Sequence, residues 1–274
     1  MFRAFRLRCG NARLREGMRH AISLPMKNAL VTGAGVRIGR AIALDLARHG
    51  WAVAVHYNGS GHDAAAVVRE IRSHGGKAAA VQADLADAAA VAALVPEAEQ
   101  AIGPLTLLVN NASIFEYDTA DSATVGGWDR QLDINLRAPF FLSQAFAKQL
   151  PADAAEGNIV NLIDMRVWKL SPFFASYTVS KTGLWTLTQT LAMALAPRIR
   201  VNGIGPGPTL ANAHQKPGQF ERQVAATPLQ RGATPDEVAA TVRYLVDTRS
   251  ITGQMIALDG GQHLPLVPGP QLDK

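Results

Sequence analysis

A tyrosine and a lysine four residues apart are the side chains of this sequence best suited to proton transfer. Tyr177 and Lys181 lie in the run Ser-Tyr-Thr-Val-Ser-Lys, and Asp164 lies thirteen residues before the tyrosine. Side chains four positions apart share one face of a helix. An ammonium beside a phenol favours the phenolate, so we expect Lys181 to lower the pKa of Tyr177 and to make proton exchange possible near neutral pH. Ordinary amphipathic helices contain the same pair, and a second signal is needed to assign chemistry to it.

The second signal is a glycine-rich turn near the other end of the chain. Residues 27–40 read Lys-Asn-Ala-Leu-Val-Thr-Gly-Ala-Gly-Val-Arg-Ile-Gly-Arg, and an amphipathic stretch follows. A strand, a glycine turn and a helix in this order are typical of dinucleotide binding. Glycine lets the backbone approach a pyrophosphate, and the helix N-terminus offers free N–H donors. A surface turn that merely contains glycines is the alternative for this segment alone.

The elements that would position these residues alternate between strand and helix. The predicted strands are 28–32, 52–56, 77–82, 105–109, 157–163, 199–204 and 255–258. The predicted helices are 37–48, 62–73, 86–101, 122–137, 138–149, 175–195 and 235–246. This alternation predicts one α/β domain over residues 26–274, a Rossmann-type doubly wound parallel sheet with helices on both faces and ligands at the carboxyl ends of the strands.

The basic character of the chain is confined to its first residues. Residues 1–25 contain six arginines and the single acid Glu16, a net charge of +5, which equals the net charge of the whole chain. The remaining residues are therefore balanced, and the charge does not predict nucleic-acid binding. We predict that residues 1–25 are a disordered extension or precede the true start at Met18 or Met26. A targeting peptide, which shares this composition, is the alternative.

The composition also bears on the compartment and on partners. The single cysteine, Cys9, excludes an internal disulfide and predicts a cytoplasmic protein, and no apolar run is long enough to predict a membrane span. Residues 138–147 and 182–197 carry no ionisable side chain. A helix without a polar face is buried on most sides, so we predict that these segments pack against another subunit. Burial under the loop 205–227 is the alternative.

Matches at many ordered positions identify a family. The chain resembles the short-chain dehydrogenase/reductases from about Lys27 to Leu264. Thr32-Gly33-x-x-x-Arg37-x-Gly39 resembles the glycine turn of that family, residues 110–113 its Asn-Asn-Ala-Gly segment, and Tyr177/Lys181 its catalytic pair. The resemblance also extends to Asn135, Pro206-Gly207 and residues 259–261. It implies an oxidoreductase that forms homotetramers, with Asn135 holding a water behind Lys181.

The residues after the second predicted strand favour NADP(H) over NAD(H). An NAD enzyme usually has an acid about 20 residues beyond the glycine turn. Here the strand ends with His56, Tyr57 and Asn58, and the first acid is Asp63, so nothing would repel a 2′-phosphate. Arg37 would bind that phosphate or the pyrophosphate. The cofactor contacts that we expect are Gly33, Arg37, Ile38, Gly39, His56, Tyr57, Asn58, Asp84, Leu85, Asn111, Ala112, Ser113, Pro206 and Gly207.

One of these assignments, Asp84, has a second interpretation. Asp84 would bind the adenine edge, as the family implies, and would also suit a helix N-cap. Asn110 and Ala112 would line the ribose and nicotinamide side. The seven histidines are scattered without ligand spacing, and no metal site is expected.

Three departures from the family pattern point to one branch. Arg37 and Ser113 replace glycines, and Asp164 replaces the active-site serine. This combination resembles the pteridine reductase and dihydromonapterin reductase branch. It implies an NADPH-dependent reductase of a pterin-type substrate, with Tyr177, Lys181, Asp164 and Asn135 as catalytic residues. A carboxylate can accept hydrogen bonds from a pterin's amino and ring N–H groups.

The sequence predicts the substrate contacts with one alternative, and it leaves two rival functions. The expected substrate contacts are Arg37, Ser113 and Phe115, with a core position as the alternative for Phe115. Arg166 and Trp168 lie near the pocket without an assigned role. A carbonyl reductase acting on a 3-oxoacyl thioester, a ketone or a sugar is the first rival function. An NADP-binding sensor without turnover is the second.

Overall fold

A computed structural model of the chain describes residues 26–154, 156–211 and 215–265. The predictions for residues 1–25 lie outside the described residues. Within the described ranges no helix is both long and apolar enough to cross a membrane.

Seven parallel strands form one sheet, as the sequence predicts. They are β1 (Asn28–Val31), β2 (Ala52–Tyr57), β3 (Ala78–Gln82), β4 (Leu107–Asn110), β5 (Gly157–Leu162), β6 (Ile199–Pro206) and β7 (Met255–Leu258). Their order across the sheet is β3-β2-β1-β4-β5-β6-β7. The order reverses between β1 and β4, and in sheets of this kind ligands bind beyond the carboxyl ends of the strands at that point.

Helices cover both faces of the sheet. They are α1 (Arg37–Arg48), α2 (Gly61–Ser73), α3 (Ala88–Ile102), α4 (Val125–Leu132), α5 (Ala138–Gln149), α6 (Ala175–Leu195), α7 (Gln219–Ala225) and α8 (Pro235–Asp247). One core joins α1, α2 and α8 to the sheet, through residues such as Ile42, Val67 and Val242. A second core joins α3 and α5 to the opposite face, through residues such as Leu94 and Phe146. The doubly wound fold is therefore confirmed.

The predicted helix 122–137 is interrupted in the structure. Thr124 caps α4 by accepting the Gly127 N–H, so the helix begins three residues later than expected. A π-helical turn, Asp133–Arg137, then connects α4 to α5. Single π turns of this kind often occur at functional sites, and this one carries Asn135.

The segment predicted as the loop 205–227 contains regular structure. β6 continues to Pro206, and α7 spans Gln219–Ala225 after Gly218, whose φ is 72°. The prediction of a continuous loop was wrong because glycine and proline dominate the composition around a short helix. Gln219 and Gln223 have helical spacing, and that was the available signal.

Candidate active site

A cavity of about 1240 Å³ opens where the strands end. Its walls come from the turn after β1, the segments that follow β4 and β5, the start of α6, the end of β6 and the α7 region. All the expected catalytic residues except Asn135, and all the expected substrate contacts, line it. Of the expected cofactor contacts, those that line the cavity are Arg37, Ile38, Asn111, Ser113, Pro206 and Gly207.

The glycine turn is built for a close approach of backbone segments. Gly33 has a φ of 62°, a left-handed conformation that glycine adopts at low cost. A Cβ atom on Gly39 would overlap with the Gly33 carbonyl oxygen and would lie 2.5 Å from Asn111 Nδ2. The first turn of α1 has no side-chain cap and contains no acid. Its N–H groups therefore remain suited to an anion such as a pyrophosphate.

Thr32 and Asn111 join this turn to the end of β4. Asn111 Nδ2 donates to the Thr32 carbonyl at 2.8 Å and to the Gly33 carbonyl at 3.2 Å. Thr32 Oγ1 accepts from the backbone N–H groups of Asn111 and Ala112, both at 2.9 Å. The Asn111 amide thus positions the turn. The neighbouring Asn110 faces the other way, because its Nδ2 donates to Asn161 Oδ1 inside the sheet at 2.8 Å. Its expected place beside the cofactor ribose stays a prediction, because its Oδ1 is buried without a hydrogen-bond partner.

His56 supports the glycine turn from within the protein. Its Nδ1 accepts the Gly33 N–H at 3.0 Å, and its Nε2 lies 3.1 Å from the Ala83 carbonyl. These bonds assign the proton to Nε2. Burial lowers the pKa of His56 to about 4, against a smaller opposing effect of the Ala83 bond. The expected contact of this imidazole with cofactor is therefore replaced by a structural role, since both ring nitrogens are already bonded and the side chain is buried.

The side chains of the other residues expected near the adenosine end of the cofactor lie in different environments. The Tyr57 ring packs against Gly61 at the start of α2, and Asn58 is exposed. Asp84 is exposed and accepts the Ala86 N–H at 2.9 Å, but the cap of α3 is Asp87, so the N-cap reading of Asp84 was wrong. Leu85 points into the core, so its side chain is unavailable to a ligand.

Arg37 connects the glycine turn to the segment after β6. It has a φ of 53°, where the family has glycine, so its backbone is strained. Its guanidinium donates to the Ala211 carbonyl at 2.9 Å and to the Leu210 carbonyl at 3.2 Å. Two walls of the cavity, 174 residues apart in sequence, are joined by this one side chain.

Asp164, Tyr177 and Lys181 meet at the end of β5. The Tyr177 hydroxyl donates to Asp164 Oδ2 at 3.0 Å, and Asp164 Oδ1 accepts the Arg166 N–H at 2.7 Å. The aspartate thereby caps a short 3-10 turn, Met165–Val167. Lys181 Nζ donates to the Leu162 carbonyl at 2.8 Å and lies 5.8 Å from the centroid of the Tyr177 ring.

The pKa of Tyr177 departs in the direction opposite to the sequence-based expectation. Burial raises it well above its usual value, and the charge of Asp164 together with its hydrogen bond adds to that effect. The charge of Arg166 and a hydrogen bond with the Ser113 side chain oppose it. Burial lowers the pKa of Lys181 to about 8, opposed by Asp164. The expected effect of Lys181 on Tyr177 was wrong because a carboxylate is the nearer charge and favours the neutral phenol.

Burial also raises the pKa of Asp164, against the Arg166 N–H bond, the charge of Arg166, the Tyr177 bond and the charge of Lys181. The carboxyl and the phenol therefore share one hydrogen bond in which the phenol is the donor. Such a pair can stay protonated up to a pH closer to neutrality than an exposed carboxyl can.

Asn135 positions the segment after β4. From the π-helical turn its Oδ1 accepts the Ile114 N–H at 2.9 Å, and its Nδ2 donates to the Ile114 carbonyl at 3.0 Å and to Ser180 Oγ at 3.1 Å. It is fully buried. These side-chain bonds give Asn135 a positioning role. The water that the resemblance implies behind Lys181 stays a prediction.

A second buried network holds the start of α6. The Asp118 carboxylate accepts from both the hydroxyl and the backbone N–H of Ser176, next to Tyr177. Gln131 Nε2 also donates to Ser176 Oγ, at 2.9 Å. A carboxylate at a helix N-terminus is stabilised by the free N–H groups there. Sequence reasoning missed Asp118, which has no motif of its own.

Aromatic rings and one guanidinium form another part of the cavity wall. Phe115 stacks on Phe174, with ring centroids 4.2 Å apart and 12° between the planes, and meets Tyr177 edge-on at 4.6 Å. Phe174 has a φ of 61° at the N-cap of α6. The Arg166 guanidinium lies 5.1 Å from the Phe174 centroid and donates to Ser171 Oγ at 2.6 Å. Phe115 therefore belongs to the cavity wall, but Phe174 already covers one of its faces.

Comparisons with known proteins identify the family. The sequence model of a family described as Enoyl-(Acyl carrier protein) reductase matches residues 33–263. A 3-oxoacyl-(acyl-carrier-protein) reductase FabG of Staphylococcus aureus is 37% identical over 243 residues, covering 87% of this chain and 98% of its own. An uncharacterized oxidoreductase of Methylorubrum extorquens is 38% identical over 243 residues, with coverages of 86% and 97%. The chain belongs to the short-chain dehydrogenase/reductase family.

A solved member of this family shares more of the sequence. FolM alternative dihydrofolate reductase 1 from Brucella suis, in complex with NADP, is 51% identical, with a TM-score of 0.85. The match covers 89% of this chain and 97% of that one. The corresponding Brucella canis protein, also complexed with NADP, is 52% identical, with a TM-score of 0.85 and coverages of 89% and 96%.

The turn that follows β7 packs against the end of β6 and closes one side of the site. A Cβ on Gly207 would lie 2.7 Å from Asp259 Cβ, so glycine permits the two segments to touch. Gln262 Oε1 is buried beside Gly207 and has no hydrogen-bond partner. Trp168 packs on His263 with centroids 5.2 Å apart, so the tryptophan supports this turn and does not line the cavity.

Several residues of the cavity had no signal in the family pattern. They are Arg166, Phe174, Gln219, Phe220, Gln223 and Gln262. The sequence placed Arg166 near the pocket without a role, and the turn after Asp164 brings both residues to one place. Within the described ranges, no group of three or more His, Cys, Asp or Glu residues is arranged to hold a metal ion.

Proposed function

We propose that the protein is an NADPH-dependent reductase that transfers a hydride to a pterin-type substrate. The observation that carries this proposal is the Asp164 carboxylate, which lines the cavity with one oxygen bonded to the Tyr177 hydroxyl. A carbonyl substrate would need a hydrogen-bond donor there, and a carboxyl group accepts only, unless it is protonated.

The cofactor assignment is supported by the turn and by the relatives. The glycine turn and the uncapped start of α1 fit a pyrophosphate, and no acid stands at the end of β2 to repel a 2′-phosphate. Both FolM structures contain NADP. When bound, NADPH supplies the hydride. Arg37, Ile38 and Gly207 line the cavity on the side where it would lie.

The substrate assignment depends on donors and acceptors. A pterin carries an amino group and ring N–H groups, from which a carboxylate can accept hydrogen bonds, and Asp164 lines the cavity in which a flat ring would fit. The face of Phe115 not covered by Phe174 would stack on that ring. Ser113 lies beside the Tyr177 hydroxyl and would place the substrate within reach of it. The FolM relatives are described as alternative dihydrofolate reductases, which supports the same class of substrate.

The proton needed at the ring nitrogen would come from the Asp164–Tyr177 pair. Burial raises the pKa of Asp164, so its carboxyl can carry a proton to the nitrogen directly or through a water. Tyr177 stays protonated, and its hydroxyl donates to the carboxylate that is left. Lys181 holds the end of β5 through the Leu162 carbonyl and keeps a cation beside the pair.

A carbonyl reductase is the second candidate, since the FabG relative covers almost the whole domain. In that reaction the Tyr177 hydroxyl would have to leave Asp164 and donate to the substrate oxygen. The bond between the two side chains therefore opposes this reading. A cofactor-binding sensor without turnover is the third, and the retained Tyr177, Lys181 and Asp164 argue against it.

Oxidation of NADPH with a panel of substrates tests the proposal. The panel contains dihydrobiopterin, dihydrofolate, an acetoacetyl thioester and a simple ketone. We expect kcat/KM to be about tenfold or more higher for the pterins, because their N–H groups pair with Asp164. Turnover of the ketone or thioester alone would refute the pterin assignment. Tight NADPH binding without any turnover would favour the sensor.

We propose a homo-oligomer, with a tetramer favoured. α5 and α6 expose Phe141, Val179 and Met193, and an apolar cleft of about 290 Å³ lies beside Leu136 and Phe140. Single chains rarely leave such a surface uncovered. Light scattering coupled to size exclusion measures the assembly, and a monomer at micromolar concentration would contradict it. The cytoplasmic location stays a prediction.

A further inference from the structure

We propose that Arg166 is a positioning residue of the Asp164–Tyr177 pair, and that it, rather than Lys181, is the cation that balances the Asp164 carboxylate. The kinetic part of this inference rests on the proposed function, whereas the geometry on which it is built does not. Nothing in the family pattern assigns a role to this arginine.

The backbone and the side chain of Arg166 both act on the pair. Its N–H donates to Asp164 Oδ1 at 2.7 Å, which leaves Oδ2 to accept the Tyr177 hydroxyl. Its guanidinium lies 5.1 Å from the Phe174 centroid and 6.0 Å from the Phe115 centroid, and it is anchored on Ser171 Oγ. A guanidinium over aromatic faces is attracted by the ring quadrupoles and stays in place. The guanidinium is thereby fixed on the aromatic wall whose Phe115 ring contacts Tyr177, and it forms no ion pair with the Asp164 carboxylate within 4 Å.

Lys181 is less suited to balance Asp164. Its Nζ is directed at the Leu162 carbonyl, and its pKa of about 8 lets it lose its charge at mildly alkaline pH. An arginine keeps its charge at every pH at which the protein is folded. The charge of Arg166 also acts on Asp164 more strongly than that of Lys181 does, and it opposes the raised pKa of Tyr177.

The groups that line the cavity around Asp164 come from four parts of the chain. Tyr177 and Lys181 come from α6, Arg166 from the 3-10 turn, and Glu116 and Arg37 line the same cavity from the segments after β4 and β1. Among these described groups, Arg166 alone combines a permanent charge with contacts to both the carboxylate segment and the aromatic wall. Its removal should therefore change the titration of Asp164 in a way that loss of packing alone would not.

The experiment follows the ¹³C chemical shift of the Asp164 carboxyl against pH, assigned by comparison with Asp164→Asn. Arg166→Met should move the midpoint to higher pH by about one pH unit, because an opposite charge no longer favours the carboxylate. Arg166→Lys keeps the charge and should move it by less than half as much. Lys148→Met removes an exposed cation that bonds to Gln144 on α5, and should leave the midpoint unchanged.

Coincident titrations of the wild type and Arg166→Met would overturn the inference, and a larger shift in Lys181→Met than in Arg166→Met would also overturn it. If Arg166→Met does not fold, Arg166→Gln and Ser171→Ala make the same test, and an unchanged midpoint in both would count against the role. In pterin turnover, the limb of the pH profile that reports Asp164 should move by the same amount. A shifted titration in a protein that turns over no pterin would refute the proposed function and leave the positioning role standing.

Discussion

The two ends of the cavity use side chains in opposite ways. At the glycine turn, the side chains of Thr32, Asn111 and His56 bond to the backbone, so the turn presents its own N–H groups. At the end of β5, Asp164 and Tyr177 point into the cavity and bond to each other. A change at the first end should therefore alter stability and cofactor affinity together, whereas a change at the second should alter rate with little loss of stability.

The largest effect should come from the second end. Tyr177→Phe removes the hydroxyl and keeps the ring that meets Phe115, so we expect a loss of ~10²–10⁴ in kcat. NADPH affinity, measured by fluorescence titration, should stay within about twofold, because the glycine turn is untouched. A rate within tenfold of the wild type would show that the hydroxyl does not support proton transfer by the Asp164 carboxyl.

Gly39→Ala tests the first end. The added methyl group would overlap with the Gly33 carbonyl oxygen, so we expect a loss of about 3 kcal/mol in the free energy of unfolding and a fall in NADPH affinity. Gly126→Ala, in α4, is the matched control because no atom lies within 4 Å of the new Cβ. Urea unfolding measures the stability of the two variants, and fluorescence titration measures their NADPH affinity. If the Gly39→Ala protein were destabilised but bound NADPH with wild-type affinity, stability and cofactor affinity would not be coupled at the glycine turn.

The pH dependence of stability tests the role of His56. Its folded pKa of about 4 lies below the reference value of 6.5, so the unfolded chain binds more protons between these values. The stabilisation is complete above a pH of about 6.5 and is lost progressively as the pH falls toward 4, by up to about 3 kcal/mol. His56→Gln should flatten this part of the profile in urea unfolding.

His62→Gln is the control for that experiment, since His62 is highly exposed. It should follow the wild-type profile. Equal profiles for the wild type, His56→Gln and His62→Gln would show that His56 does not anchor the turn.

The smallest effect is a difference between two substrates. Asp164→Ser restores the hydrogen-bond donor typical of the family, so pterin turnover should fall by about tenfold more than ketone turnover. The serine can still bond to the Tyr177 hydroxyl, and thermal unfolding should therefore change little. Equal losses on the two substrates would remove the reason for assigning Asp164 to a nitrogen heterocycle.

Much of the fold follows from the sequence because periodicity is strong where burial is one-sided. Each predicted strand overlaps its observed strand, and the predicted α1 and α6 have the observed bounds. The π-helical turn at Asp133–Arg137 could not be predicted, since its residues are compatible with an ordinary helix. α7 was missed because it is only seven residues long and stands among glycine and proline.

At the site, motifs predicted which residues meet but not what each side chain does. Asp164, Tyr177 and Lys181 do share one cavity wall. The direction of the Tyr177 pKa was wrong because residue spacing does not reveal which charge lies nearer to the phenol. His56 was expected at the ligand, but both nitrogens of its buried imidazole are bonded inside the protein, whereas Asn111 lines the cavity. Phe174 had no motif, and its left-handed backbone depends on the tertiary environment.

One carboxylate, Asp118, fixes the start of the helix that carries the phenol, and its own backbone carbonyl accepts the Phe174 N–H. The segment after β4, the aromatic wall and the proton pair are consequently anchored to a single rigid frame. The wall formed by α7 is built from a different stretch of chain, with Gln219, Phe220 and Gln223 facing the cavity. Substrate preference can therefore drift through substitutions in that stretch while the acid–base machinery is inherited unchanged.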